Sequence, residues 1–173
     1  MRRISTVGIL ACTLTLAACT PTFNWREVRT EGGGLKAMMP CKPDKSERPV
    51  PMAGHQVSLQ VMGCATGGAT FAILFADMGD ATRAGEVLGQ WKTATLSNLR
   101  SAAVHEAVFR PQGAAALPQS LQVVASGERG DGSKVESHAA YFARGSDVFQ
   151  AVIYADELKP DVAEMFFSGL VLE

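Results

Sequence analysis

The chain has 173 residues, and its 16 lysines and arginines nearly balance 17 aspartates and glutamates, for a formal net charge of −1. A nucleic-acid-binding domain usually shows a basic patch or stripe, and this near-neutral sequence gives no sign of one. It also lacks the arginine-rich amphipathic helix that lies on anionic lipid. The length suits one domain with a core of its own, and no nucleic-acid partner is expected.

The first 19 residues have the parts of a secretory signal. Two arginines follow Met1, residues 4–16 form an uncharged apolar stretch, and two small alanines come next. The sequence of residues 16–19, Leu-Ala-Ala-Cys, resembles a bacterial lipobox. In that family of signals the cysteine is acylated, the chain is cut just before it, and the new amino terminus is acylated as well.

Two other interpretations fit this segment less well. A transmembrane helix needs about 20 apolar residues, whereas the apolar run here is shorter and is followed by Thr20-Pro21-Thr22 rather than by a positive cluster. An ordinary cleaved signal would have no need of Cys19. The lipobox is therefore the favoured interpretation.

The lipobox resemblance implies that lipid on Cys19 holds the protein in a membrane. Stable attachment takes more than one acyl chain, and the resemblance implies three. Thr20 stands where bacteria of the enteric type place an aspartate to retain lipoproteins in the inner membrane. We therefore expect an outer-membrane lipoprotein facing the periplasm, with a signal peptide at 1–18, a lipidated Cys19 and tether at 19–33, and a single domain at 34–173.

The positions of the other three cysteines indicate what becomes of each. Cys12 leaves with the signal, so Cys41 and Cys64 remain in the mature domain. Two unmodified cysteines in an exported domain predict one disulfide. A metal or redox pair is the alternative, but the Cys-x-x-Cys spacing of a thioredoxin-type site is absent.

The first half of the mature domain predicts mainly strands. Residues 35–39 read as a short strand, and the four prolines between Pro40 and Pro51 predict an irregular loop. Residues 55–62 alternate as a half-buried strand does, and the apolar run 69–76 suits a central strand.

A long helix is predicted next, over 81–101, capped by Asp80. Its inward stripe includes Val87, Leu88, Trp91 and Leu99. Further strands and a second helix follow, namely strands 104–109, 121–126, 135–142 and 148–155, a helix opened by Pro160 whose inward residues are Val162, Ala163, Phe166 and Phe167, and a last strand at 170–172.

This order predicts an α+β fold, an antiparallel sheet with one long and one short helix packed on it. The element order, together with the strand-then-proline opening at residues 35–43, resembles the PsbP-like fold, a sandwich of helices around an antiparallel sheet found in photosystem extrinsic proteins and in small bacterial lipoproteins. The resemblance covers residues 34–173. It implies a largely non-enzymatic family and transfers no functional residues.

No catalytic motif is recognisable. The three histidines, His55, His105 and His138, lie in separate strand-like segments, and no Gly-x-Ser-x-Gly or His-Glu-x-x-His motif is present. An envelope hydrolase is one alternative, and it would require His105 or His138 to meet an acidic residue and a nucleophile in one cleft. The segments that contain His105 and His138 are candidates for adjacent strands, and exposed polar positions of a sheet explain both histidines more simply.

Soft metal ligands are concentrated in one short stretch, and they suggest a second alternative. Thioether, thiolate and imidazole groups together suit Cu(I). The stretch contains Met38, Met39, Cys41, Met52, His55, Met62 and Cys64. Against a periplasmic copper protein, methionines commonly fill gaps in a core, the cysteines are expected to pair, and alternation puts Met38 and Met39 on opposite faces of a strand.

The sequence therefore favours a lipid-anchored envelope lipoprotein that acts as a non-catalytic binding or scaffold module. Its expected partners are the membrane, through lipid on Cys19, and another envelope protein or a small ligand. No cofactor is expected, and an enzyme is the less favoured class.

Overall fold

The computed structural model describes residues 21–101 and 103–173, which form ten strands and two helices. The strands are β1 (Arg26–Arg29), β2 (Leu35–Met39), β3 (Asp44–Met52), β4 (His55–Thr66), β5 (Ala69–Asp77), β6 (Ala103–Val108), β7 (Leu121–Glu128), β8 (Lys134–Arg144), β9 (Asp147–Ala155) and β10 (Val171–Leu172). The helices are α1 (Ala84–Asn98), preceded by a 3₁₀ turn at Ala81–Arg83, and α2 (Pro160–Ser168).

The strands make two antiparallel sheets. The larger has seven strands in the order β3-β4-β5-β9-β8-β7-β6, and the smaller has three in the order β1-β2-β10. Most neighbours in the larger sheet are also neighbours in the chain, so hairpins build most of it. The predicted α+β class with antiparallel sheets and two helices is confirmed, and strands dominate the fold.

The central strands of the larger sheet are buried on both faces. Its front face packs against the small sheet and α2, through a core that includes Leu35, Met39, Phe71, Phe149 and Phe166. Its back face packs against α1, through a second core that includes Val87, Leu88, Val123, Tyr141 and Val152. The molecule therefore has three layers, with the large sheet between the small sheet and α2 on one side and α1 on the other.

Both predicted helices are confirmed. Asp80 caps the first turn by accepting a hydrogen bond from the Thr82 backbone N–H at 2.9 Å, and this turn leads into α1. Val87, Leu88 and Leu99 are buried as predicted, and Trp91 is half-buried against the back core. In α2, Pro160 takes the first turn and all four residues predicted to face inward are buried.

The proline-rich segment corrects one prediction. The sequence predicts an irregular loop up to Pro51, but β3 covers most of this segment as the edge strand beside β4. An edge strand leaves alternate backbone nitrogens facing solvent, so a proline there removes no ladder hydrogen bond. Pro49 and Pro51 are two residues apart and therefore share one orientation, which satisfies this condition.

The predicted tether is also shorter than expected. Strand β1 lies inside the range 19–33 and pairs with β2, with Arg26 opposite Met39. Phe23, Trp25 and Val28 pack against the front core. The folded part therefore begins before the predicted boundary at Gly34, whereas Cys19 and the signal peptide lie outside the described residues.

The predicted disulfide is present. Cys41 and Cys64 are bonded, with their Cα atoms 6.0 Å apart and a sequence separation of 23. Cys41 follows β2 of the small sheet and Cys64 lies in β4 of the large one, so the bond joins the two sheets. A loop of this size corresponds to a stabilisation of about 3 kcal/mol in the chain-entropy model.

No helix in residues 21–101 and 103–173 combines the length and the apolar character needed to cross a bilayer.

Candidate functional site

The hairpin of β3 and β4 extends beyond its neighbour in the sheet. The pairing of β5 with β4 stops at Gln60, opposite Phe75, so residues 48–59 pair only with each other. We call these residues the hairpin arm. Ala53 and Gly54 form its turn with φ of 46° and 79°, and two positive φ values are what a tight two-residue hairpin turn requires.

One side of the hairpin arm is apolar and faces α1. Val50 lies directly opposite Val57, and both pack against the back core together with the buried Leu59. Side chains of directly paired residues share a face, so this side continues the back face of the large sheet. The opposite side carries Gln56, which pairs with Pro51 and is exposed.

A cleft of about 380 Å³ separates the hairpin arm from α1. Its lining residues are Val50, Pro51, Met52, Ala53, Leu59, Val87, Gln90, Trp91 and Ala94. Within the part of the chain that the structure describes, none of these residues is charged, and Gln90 supplies a polar amide. Small-molecule sites are typically concave, mostly apolar and about 300–1,000 Å³ in volume, so the cleft has the character of such a site.

Trp91 forms the helical wall of the cleft. Val87 and Trp91 are four residues apart on α1, as are Gln90 and Ala94, so two neighbouring ridges of the helix face the hairpin arm. Trp91 is half-buried and presents aromatic surface to the space between them. A large aromatic ring with an indole N–H can give both apolar area and one hydrogen bond to a ligand.

The tip of the hairpin arm is tied to the start of the helix. The guanidinium of Arg83 donates a hydrogen bond to the backbone carbonyl of Ala53. Arg83 is not among the residues that line the cleft, and its contact ties the arm turn to the residues that precede α1.

A buried polar group of three side chains fixes the rotation of α1. The Gln150 Nε2 donates to Thr95 Oγ1 at 3.0 Å and to the Tyr141 hydroxyl at 3.1 Å. Thr95 Oγ1 in turn donates to the Trp91 carbonyl at 3.0 Å. Burial raises the pKa of Tyr141 to about 12, so its hydroxyl is neutral at physiological pH. Because these bonds join α1 to β8 and β9, they determine the direction in which Trp91 points.

The soft-ligand residues do not form one group in space. Met39 and Met62 belong to the front core, whereas Met52 packs against the back core. His55 is exposed at the arm turn, opposite Met52. Met38 lies half-buried beside Gly169.

The sulfurs of Cys41 and Cys64 are bonded to each other, so neither provides a thiolate. Among the described residues no group of three or more His, Cys, Asp or Glu side chains is placed to hold a metal ion.

The two strand histidines are separated by a strand. Adjacent strands were one possibility for His105 and His138, but β7 lies between them and Val124 pairs with both. His105 is exposed near the sheet edge. His138 is half-buried and contacts the carboxylate of Glu136, two residues away on the same strand. The two histidines therefore do not lie on adjacent strands.

No protein-family model matches this chain, and no curated protein matches its sequence.

Sequence reasoning identified Trp91 as a core residue but missed the cleft beside it. The hairpin arm was hidden because its first strand contains the prolines that predicted a loop. A usable signal was present in Gly54, a typical turn residue that separates Val50 and Met52 from the alternating residues of β4.

The buried polar group generates a prediction with a matched control on the same helix. Thr95→Val removes the hydroxyl that accepts from Gln150, and we expect it to lower the free energy of unfolding by roughly 1–3 kcal/mol. Thr93→Val makes the same change at an exposed position, where Thr93 Oγ1 donates to the Gly89 carbonyl, and should cost no more than about 0.5 kcal/mol. Urea unfolding measures both, and equal losses would contradict the role given to Thr95.

Proposed function

We propose that this protein is a lipid-anchored lipoprotein of the bacterial outer membrane, facing the periplasm, and that it is a non-catalytic binding module. The cleft between the hairpin arm and α1 is its binding site, and the ligand is a small, uncharged, apolar molecule. The cleft lined by Trp91 is the observation on which the proposed activity depends.

The lipobox and the disulfide support the location. Residues 16–19 have the order of a lipobox, and Thr20 lacks the charge that favours inner-membrane retention in bacteria of the enteric type. The Cys41–Cys64 disulfide agrees with export, because disulfides persist in oxidising compartments such as the periplasm.

The lining of the cleft supports the ligand class. An ionised ligand would lose its hydration there without gaining a charged partner from the described lining residues, and that loss is costly. An apolar ligand would instead cover the aromatic surface of Trp91 and the side chains of Val50 and Leu59. Gln90 Nε2 donates to the Glu86 carboxylate at 2.8 Å, so its carbonyl oxygen is the atom that can accept a hydrogen bond from one polar group of the ligand.

The layered architecture supports a PsbP-like fold. An antiparallel sheet with α1 on one face and α2 on the other agrees with the helix-and-sheet sandwich of the PsbP-like resemblance. That resemblance in turn favours binding over catalysis.

The anchor is tested by the intact mass of protein extracted from the membranes of a bacterial host. We expect a chain that begins at Cys19 and carries added acyl mass, and Cys19→Ser should abolish both the acyl mass and membrane association. Cys12→Ser, which changes a cysteine inside the removed signal, is the control and should be acylated normally. An unmodified Cys19 terminus, or membrane association that survives Cys19→Ser, would contradict the proposal.

The cleft is tested with N-phenyl-1-naphthylamine, an uncharged apolar dye that fluoresces when it leaves water. The protein is the mature chain carrying Cys19→Ala, exported behind a cleavable signal, so that no lipid competes for the dye. We expect saturable binding. Gln90→Glu introduces a charge at the cleft, beside the Glu86 carboxylate to which Gln90 donates a hydrogen bond, and should weaken dye affinity by about tenfold, or ~1.4 kcal/mol. Urea unfolding of the variant checks that the loss of this hydrogen bond leaves the fold intact.

Gln56→Glu is the matched control, because it makes the same change on the outer side of the hairpin arm. It should leave the affinity unchanged. Equal effects of the two variants, or no saturable binding of the dye, would contradict a small-ligand site in the cleft, and the second result would favour a protein partner instead.

A further inference from the structure

We infer that the end of the domain that carries the β4–β5 turn faces the bilayer and contacts zwitterionic phospholipid. The cleft opens at the opposite end of the domain. The inference rests on the proposed acylation of Cys19. It concerns an interaction surface that is separate from the cleft.

The chain is held to the domain almost immediately after the anchor position. The Thr22 carbonyl accepts a hydrogen bond from Thr66 Oγ1 at 2.5 Å, and the Asn24 backbone N–H donates to the Pro40 carbonyl at 2.8 Å. Between these contacts the Phe23 ring lies against Gly67, where an added Cβ would come within 2.6 Å of the ring. Thr22 to Asn24 are therefore fixed beside the β4–β5 turn.

Little chain is left to separate the anchor from this turn. Cys19 precedes Thr22 by three residues, and a fully extended chain spans at most about 3.6 Å per residue, or roughly 11 Å in all. An acylated Cys19 has its lipid in the bilayer, so the β4–β5 turn has to lie at the level of the headgroups or just above them.

The surface at this end is suited to a zwitterionic lipid. A small cleft of about 260 Å³ lies there, with Phe23, Ala69 and Val162 among its apolar lining. Lys159 and Glu157 lie at the same cleft and are both exposed. One positive and one negative group in the lining of one cleft complement the phosphate and the ammonium of a phosphoethanolamine headgroup. An anionic lipid would instead call for a cluster of basic residues.

The binding cleft lies at the other end of the same strand. Strand β4 has 12 residues. At a rise of about 3.3 Å per residue, the Cα atoms of its first and last residues are roughly 36 Å apart. The β4–β5 turn follows its last residue, and the arm turn precedes its first. An upright domain would therefore present the cleft of Trp91 to the aqueous periplasm, away from the lipid.

Hydrogen exchange read by mass spectrometry tests the orientation. The full-length acylated protein is placed in nanodiscs of phosphatidylethanolamine and phosphatidylcholine and compared with the soluble Cys19→Ala chain. We expect amide exchange at Gly67, Gly68 and residues 157–159 to slow several-fold in the nanodiscs. Exchange at the arm turn, Ala53 and Gly54, should not change. Equal protection at both turns, or protection at the arm turn alone, would overturn the inference.

A second protein tests the role of the short link. Twelve glycine and serine residues inserted between Thr20 and Pro21 keep the lipobox intact but free the domain, so the protection at Gly67 and Gly68 should disappear. Protection that persists with the longer link would contradict its role. The intact mass of each preparation reports acylation independently. A missing acyl group would contradict the proposed lipid anchor, whereas acylated protein without the expected protection would contradict only the inferred orientation.

Discussion

The need to cover both faces of the large sheet determines the rest of the fold. Successive residues of β9, Val152 and Ile153, point to opposite faces and are 1% and 0% exposed. A strand buried on both sides requires a layer on each face. The front layer is assembled from β1, β2, β10 and α2, and the back layer is formed by α1. The Cys41–Cys64 bond then holds the front layer to the sheet it covers.

The cleft follows from a mismatch between the strands and the back layer. The pairing of β4 with β5 ends at Gln60, but β3 and β4 continue to pair with each other beyond it. The apolar side of the hairpin arm therefore extends past the part of the sheet that β5 joins. The rotation of α1 is set by Gln150, Thr95 and Tyr141, and this leaves Trp91 half-buried beside the arm. Incomplete coverage of Val50 and Trp91, which are both half-buried, is thus the physical origin of the proposed site.

Local patterns predicted the features that local chemistry determines. The stripe of α1, the four inward residues of α2 and the disulfide were all available from spacing and elimination. Strand β1 was missed because it contributes one inward apolar residue, Val28, between charged neighbours. The cleft could not be predicted, since it depends on how far β5 follows β4, which is a long-range register. The closeness of the soft ligands in sequence did not predict closeness in space, for a related reason. Met62 and Met52 lie on neighbouring strands, but Met62 belongs to the front core and Met52 packs against the back core.

Nuclear Overhauser effects from the Trp91 indole test the central claim, that the hairpin arm and α1 form the two walls of one apolar cleft. They are measured on the soluble Cys19→Ala chain with labelled Val and Leu methyl groups. The account predicts cross-peaks from the indole to methyls of Leu59 and Val50 on the arm and of Val87 on the helix. An indole with cross-peaks to Val87 and none to the arm would contradict it.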